Sequence, residues 1–233
     1  MSVFLTAEWR NLLMVNYVVD PAVLEPYVPA GTELDFWNGR TYVSVVGFQF
    51  LRTKVLGVPI PFHRDFDELN LRLYVRRKAA DVWRQGVVFV REVVPRWAVA
   101  WVARTVYNEN YVALPMRSKV SLPGPLRYEW CVGGVWNSVS ANVVSEPYVP
   151  APDSEETFIT EHYWGYARQR DGSTVEYEVT HAPWPVRRCE SPVLFPTAVE
   201  FYGPAFAPFL AGPPSSVFAV DGSPVAVHRG KRI

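Results

Sequence analysis

The ten residues FDELNLRLYV, at positions 66–75, alternate polar and apolar side chains with period two. Successive side chains of a strand point to opposite faces, so Glu68, Asn70, Arg72 and Tyr74 share one face while Leu69, Leu71, Leu73 and Val75 share the other. A carboxylate, an amide, a guanidinium and a phenol in one row suit a polar barrel interior that binds a ligand. They equally suit a strand with one wet face, and solvent is the expected neighbour. Just upstream, His63, Asp65, Asp67 and Glu68 make an acidic run of the type that hard divalent cations take. No glycine or spacing in it matches a calcium loop, so a solvated loop is expected and no metal is assigned.

Two further clusters carry histidine. FITEHYWGYARQ (158–169) holds Glu161, His162 and Tyr163, and THAPWPVRR (180–188) holds His181 ahead of Trp184. A lone histidine is more often structural than catalytic, and these two become an acid–base pair with Glu161 only if the fold brings them together. A fourth stretch, RTVYNENYVALPM (104–116), breaks an apolar run with Asn108-Glu109-Asn110 before resuming at Tyr111. It reads as a turn, an active site, or the trace of one. The chain has no Gly-rich phosphate loop, HExxH, CxxC or nucleophile elbow, and no cofactor is implied.

Strands must position these groups. Segments 41–51, 69–77, 86–94, 98–107 and 116–122 are rich in β-branched and aromatic residues with period-two alternation. Gly133-Gly134, Asn38-Gly39, Asp171-Gly172 and Asp221-Gly222 are hairpin signals, which makes the sheet mainly antiparallel. So many strands are expected to close or wrap, removing exposed edges. Helices are few. Asp20-Pro21 reads as N-cap and first helical residue, Asp153 with Glu156 as a capping box, and 196–210 as one or two turns broken at Gly203-Pro204. The Pro-rich stretch 146–152 is the one seam, and neither side of it looks complete alone, so residues 1–233 are expected to form a single domain.

The 233 residues suffice to bury roughly 70–75% of the unfolded chain's surface without disulfide or metal. Balanced charge, 23 basic against 23 acidic residues, argues against nucleic acid or an anionic membrane as partner. No apolar run approaches the roughly 20 residues of a membrane helix and no basic leader opens the chain, so a cytoplasmic protein is expected. Cys131 and Cys189 lie far apart and read as buried reduced thiols. Aromatic residues make up 15% of the chain, with nine Trp, which suits wide barrel interiors and ligand pockets alike.

FDELNLRLYV, FITEHYWGYARQRDG and HAPWPV, in that order, together with the opening LTAEWRNLLMVNYVVDPAVLEPYVPAGTELDFWNGRTYVSVVGF, resemble the uncharacterised YqjF-like family, a domain of unknown function in the acetoacetate decarboxylase-like superfamily. The resemblance covers most of the chain. It implies a cone-like, mostly antiparallel β-barrel with a few short peripheral helices around an interior pocket. Acetoacetate decarboxylases form a Schiff base through a lysine whose pKa is depressed. The matching segment here is 104–116, with Arg104 at the end of a strand, Tyr107 to Asn110 replacing a Gly/Phe/Pro turn, and Tyr111-Val112 where paired lysines stand. Lys54, Lys78, Lys119 and Lys231 are the lysines of the chain, and Lys119 is expected on a solvated strand face. A tyrosine cannot form an imine but can donate a hydrogen bond or stabilise an enolate.

The resemblance matches Glu68 to the superfamily's active-site carboxylate and lets Arg72 and Arg104 hold a substrate carboxylate. The resulting expectation is a small-molecule-binding barrel, or a non-Schiff-base enzyme, acting on an oxo-acid or similar organic ligand. Its expected ligand-binding residues are Glu68, Arg72, Tyr74, Arg104, Glu109, Tyr111 and His181. The alternative is a non-catalytic structural or interaction barrel, and homo-oligomerisation is left open.

Overall fold

The computed structural model describes residues 2–106 and 108–233. Fifteen strands are described: β1 (Val3–Val19), β2 (Glu33–Leu34), β3 (Thr41–Val55), β4 (Val58–Pro59), β5 (Phe66–Ala79), β6 (Val82–Val94), β7 (Tyr111–Ala113), β8 (Met116–Val120), β9 (Gly124–Val132), β10 (Val135–Val143), β11 (Trp164–Arg168), β12 (Thr174–Thr180), β13 (Val186–Leu194), β14 (Ser216–His228) and β15 (Lys231–Arg232). Short helices α1 (Pro21–Leu24), α2 (Trp97–Val106), α3 (Glu155–Thr160), α4 (Pro196–Phe201) and α5 (Ala207–Leu210) lie between them.

The strands run in the order β12–β11–β6–β5–β3–β1–β14, and β14 pairs back onto β12 through Val179 with Val227 and Thr180 with Ala226. The sheet thus closes into a ring, so these seven strands are paired on both sides. Pairing is antiparallel except where β6 meets β11 and β7. From β14 the sheet continues outside the ring through β13, β10, β9 and β8. This outer layer packs on the ring's outward face: Leu69, Leu71, Leu73 and Val75 share one buried cluster with Leu126, Tyr128, Trp130 and Val139. The approach is close. A methyl group at Gly47 of β3 would run into the Tyr128 ring of β9.

The covered outer face decides where the polar row of β5 goes. The expectation of solvent beside Glu68, Asn70, Arg72 and Tyr74 is overturned: Glu68, Asn70 and Tyr74 are buried and Arg72 is half-buried. The apolar face takes the outer layer, so the polar face turns into the closed ring.

The turns at Asn38-Gly39, Gly133-Gly134 and Asp171-Gly172 form as expected; Gly133 and Gly134 both have positive φ between paired Val132 and Val135. Asp221-Gly222 does not reverse the chain. It lies within β14, where Gly222 has φ 83 and pairs with Arg10, and a Cβ there would collide with the Trp9 carbonyl. Glycine here permits close strand approach rather than a hairpin. Segment 98–107 is also corrected, since residues 97–106 form α2 rather than a strand. Trp97, Trp101, Arg104 and Thr105 are exposed and Ala100 is buried, the spacing of a helix face. Its alanines favour helix, and the short apolar run fitted either period. Tyr107, which follows, lies outside the described residues. The cap of α3 is Ser154 rather than Asp153, accepting from Thr157 N, whereas Asp20 caps α1 as expected. Cys131 and Cys189 are free thiols, half-buried rather than fully buried.

Candidate functional site

The ring encloses a cavity of about 250 Å³. Its wall is built from strand register. Asn70 of β5 pairs with Glu92 of β6, and Glu92 pairs with Tyr111 of β7, so these three side chains form one row across three strands. Glu68 lies two residues before Asn70 and Glu109 two before Tyr111, and both also line the cavity. Tyr177 of β12 reaches in from across the ring. Gly165 of β11 makes room for it, because a Cβ at that position would strike the Tyr177 ring.

The Asn108-Glu109-Asn110 stretch now has a physical account. Asn108 adopts φ +55, a conformation asparagine tolerates better than most residues, and its Nδ2 donates to Arg168 O at 2.8 Å. Asn110 Nδ2 donates to Val90 O at 2.7 Å, and Asn110 O accepts from Glu92 N. The two amides stitch the segment onto β11 and β6, which turns the intervening Glu109 inward.

Three carboxyl groups therefore share one wall, all with under a tenth of their surface exposed. No ion pair to any of them exists among the described residues. Their hydrogen bonds rank them. Glu68 accepts from Tyr111 Oη at 3.0 Å and from Asn70 Nδ2 at 3.3 Å. Glu109 accepts from Tyr177 Oη at 3.0 Å. Glu92 Oε2 is buried with no partner, and so is Asn70 Oδ1. Burial in apolar surroundings pushes the Glu68 carboxyl up to about 7 against its two donors, and Glu109 up to about 8. Glu92 is raised well above its ordinary value, by burial and then by the neighbouring charges of Glu109 and Glu68, against hydrogen bonding from Tyr111. The Tyr111 phenol is likewise held far above its ordinary value by burial and by Glu68 and Glu92.

Among the described residues, the lining also holds one arginine and three histidines. Arg72 lines the cavity, with Nε donating to Tyr74 Oη at 3.2 Å and Nη2 to Ile159 O at 3.0 Å. His162 and His181 line it too, both lowered below the ordinary histidine value, chiefly by burial and in part by Arg72. His162 Nε2 bonds Asp35 at 3.2 Å, and His181 stacks on Trp184 with ring centroids 3.9 Å apart. Glu161 accepts from Tyr163, and its charge raises His181 against the larger effect of burial. Much of the remaining lining is apolar, with Trp9, Phe48, Phe50, Phe89 and Trp164 among it.

Of the expected site residues, Glu68, Arg72, Glu109, Tyr111 and His181 line the cavity. Tyr74 does not. It stands behind the wall, bonded to Ser44 and Arg72, with its ring 4.9 Å from that of His162. Arg104, on helix α2, is exposed and outside the cavity lining, and its Nε donates to Tyr111 O at 2.6 Å. Glu92, Asn70, Tyr177 and His162 line the cavity without having been assigned to the site. Glu92 carried a faint signal, as an acidic residue inside the apolar strand GVVFVREVV. The acidic run does not converge: His63 Nδ1 bonds Pro61 O, Asp65 accepts from Arg52 N, and Asp67 accepts from Ser118. Among the described residues no group of three or more His, Cys, Asp or Glu is placed to hold a metal. All four lysines are exposed.

Residues 6–223 match DUF2071, a family described as an uncharacterised conserved protein. The chain is 29% identical over 203 residues to the uncharacterised protein YqjF of Bacillus subtilis (strain 168), covering 84% of this chain and 80% of that one. Its fold is similar to that of an acetoacetate decarboxylase from Legionella pneumophila, with TM-score 0.72 and 14% identity over 100% of this chain and 88% of the other. It is also similar to the enduracididine biosynthesis enzyme MppR complexed with pyruvate (TM-score 0.69, 15% identity, 100% and 91% covered). An acetoacetate decarboxylase-like enzyme from Sphingomonas wittichii RW1 is similar as well (TM-score 0.66, 14% identity, 100% and 94% covered).

Proposed function

The chain belongs to the DUF2071 family, and from that premise we propose that its ring is a site for a small oxo-acid or similar carbonyl compound, held without a covalent imine. The observation that carries this reading is a cavity whose lining joins Arg72, His162 and His181 to a carboxyl cluster and a set of aromatic side chains. Arg72, with His162 and His181 beside it, suits a ligand carboxylate. The Glu92 carboxyl, when protonated, offers a hydrogen bond to a carbonyl oxygen, and the aromatic lining accepts an apolar body. Tyr111 cannot supply an amine, and the exposed lysines are not aimed at the cavity. The fold neighbour complexed with pyruvate supports the ligand class by analogy alone.

The test is a panel of short 2-oxo-acids, followed by ligand-observed NMR and then treated with borohydride. Binding with no mass gain on any lysine is the expected result. A lysine adduct, or no binding across the panel, overturns the reading. The same proposal takes residues 1–233 as one domain working in the cytoplasm, since strands on both sides of 146–152 join one sheet; among the described residues no helix is long and apolar enough to cross a membrane.

A second reading, an interaction barrel or homo-oligomer, is favoured by three exposed aromatics. Phe62, Trp97 and Trp101 are 89%, 74% and 62% exposed. Light scattering tests it: a monomer at all concentrations removes the homo-oligomer.

A further inference from the structure

The acidic wall asks for more than ligand binding. Buried carboxyls without cations cannot all ionise together, because each charge is desolvated and repels the others. The hydrogen bonds favour one of them as the carboxylate. Glu68, with two donors aimed at it, is the one stabilised as a carboxylate. Glu92, 2% exposed and with Oε2 unpartnered in the cavity wall, is the one best left neutral, and as a neutral acid it is a hydrogen-bond donor awaiting an acceptor. A carboxylate base beside a neutral acid in an apolar cavity is the pairing that loosens a C–H bond next to a carbonyl.

We propose that this wall catalyses proton transfer at the carbon α to a ketone, with Glu68 as base and the Glu92 carboxyl holding the carbonyl oxygen. The inference rests on the reading of the cavity as a carbonyl site and adds a reaction to it. Glu68 takes the α-proton, the C–H electron pair becomes the C=C bond, and the C=O π pair moves onto oxygen. There the Glu92 O–H bonds the developing enolate. Reversal returns a proton from Glu68 to carbon and restores the ketone, so no oxidant, leaving group or cofactor takes part. Tyr111 is a positioning residue: its hydroxyl donates to Glu68 and keeps that carboxylate both ionised and aimed. The titratable groups that share the cavity lining with Glu68 are His63 from the segment before β5, Glu92 from β6, Glu109 and Tyr111 from the β7 segment, Tyr177 from β12, Arg72 further along β5, and His162 and His181.

The experiment incubates the full chain in deuterated water with acetone, 2-oxobutyrate and phenylacetone, reading loss of the α-proton signals by NMR. Exchange above the buffer rate is expected for at least one probe. Glu68→Gln is expected to lower it by about 100-fold, the scale of a lost general base. Glu92→Leu is expected to lower it by about 10-fold or more, with Glu92→Gln, which keeps an N–H donor, retaining more activity than Glu92→Leu. Tyr111→Phe is expected to move the pH profile of exchange to higher pH, and this arm stands if the Glu68 variant does not fold. Exchange no faster than buffer for all three probes overturns the proposal, as does an exchange rate indifferent to Glu68→Gln or a pH profile indifferent to Tyr111→Phe. Binding is read separately on the same samples. Probes that bind without exchanging sink the reaction and leave the carbonyl site standing, whereas probes that neither bind nor exchange sink both.

Discussion

The Tyr111 hydroxyl of β7 donates to Glu68 Oε2 of β5 at 3.0 Å, reaching across the intervening strand β6 that carries Glu92. This bond joins a residue of the Asn108–Tyr111 segment to one of the β5 polar row, and it organises the acidic wall.

Tyr111→Phe removes that donor while keeping the ring. Glu68 then has one donor against the same burial, so its carboxyl should rise above its present value of about 7. Carboxyl 13C chemical shifts followed through a pH titration measure this. A Glu68 midpoint unmoved by the substitution would contradict the role given to the phenol.

Stability should fall as pH rises from 6.5 to 8. Glu68 and Glu109 have folded values of about 7 and about 8, raised from 4.5, so the folded chain holds protons there that the unfolded chain has released. Their stabilising contribution is complete below 4.5 and is lost as pH climbs through the folded values. The lowered histidines His162 and His181 act the opposite way, but only below about 6.5, where the unfolded imidazoles charge. Thermal melts from pH 6.5 to 8 check this, and Glu92→Gln, which removes a carboxyl itself raised by burial and by Glu109 and Glu68, is expected to flatten the slope.

Gly165→Ala should destabilise by about 1–3 kcal/mol, the usual cost of forcing an extra carbon into a packed site. The added methyl meets the Tyr177 ring, so the loss comes with displacement of the phenol from Glu109. Urea unfolding measures the first effect, and a rise in the Glu109 titration midpoint reads the second. A stable variant with Glu109 unperturbed would show that Tyr177 has room to move.

Placing a lysine at 111 should not create an imine-forming amine. Acetoacetate decarboxylase-type chemistry needs a cation nearby to keep the amine neutral. Position 111 instead faces Glu68 and Glu92, which favour the ammonium form. Tyr111→Lys, treated with 2-oxobutyrate and borohydride at pH 7, is expected to gain no adduct mass. An adduct at position 111 would show that burial outweighs the carboxylates.

Local rules carried far along this chain. Period-two alternation located β3, β5, β6 and β8, and paired glycines or Asn-Gly and Asp-Gly dipeptides located three real turns. They failed where a local pattern had two meanings. The run 98–107 fits helix or strand when its length and alternation are judged alone, and contact with β7 resolved it as helix, moving Arg104 out of the site. Asp-Gly at 221–222 looks like a hairpin until β1 lies against it.

The sequence by itself determined the alternation of β5, and hence that Glu68, Asn70 and Arg72 share a face. It also determined that residue 111 carries a phenol rather than an amine. Which side of that face meets solvent was decided only by the tertiary structure, because a strand's pattern is silent on whether its sheet is covered once or twice. Here β8 to β10 cover the apolar face and ring closure covers the polar one. The gathering of Glu68, Glu92 and Glu109, from separate segments of the chain, follows from cross-strand register, a long-range property that no single segment encodes.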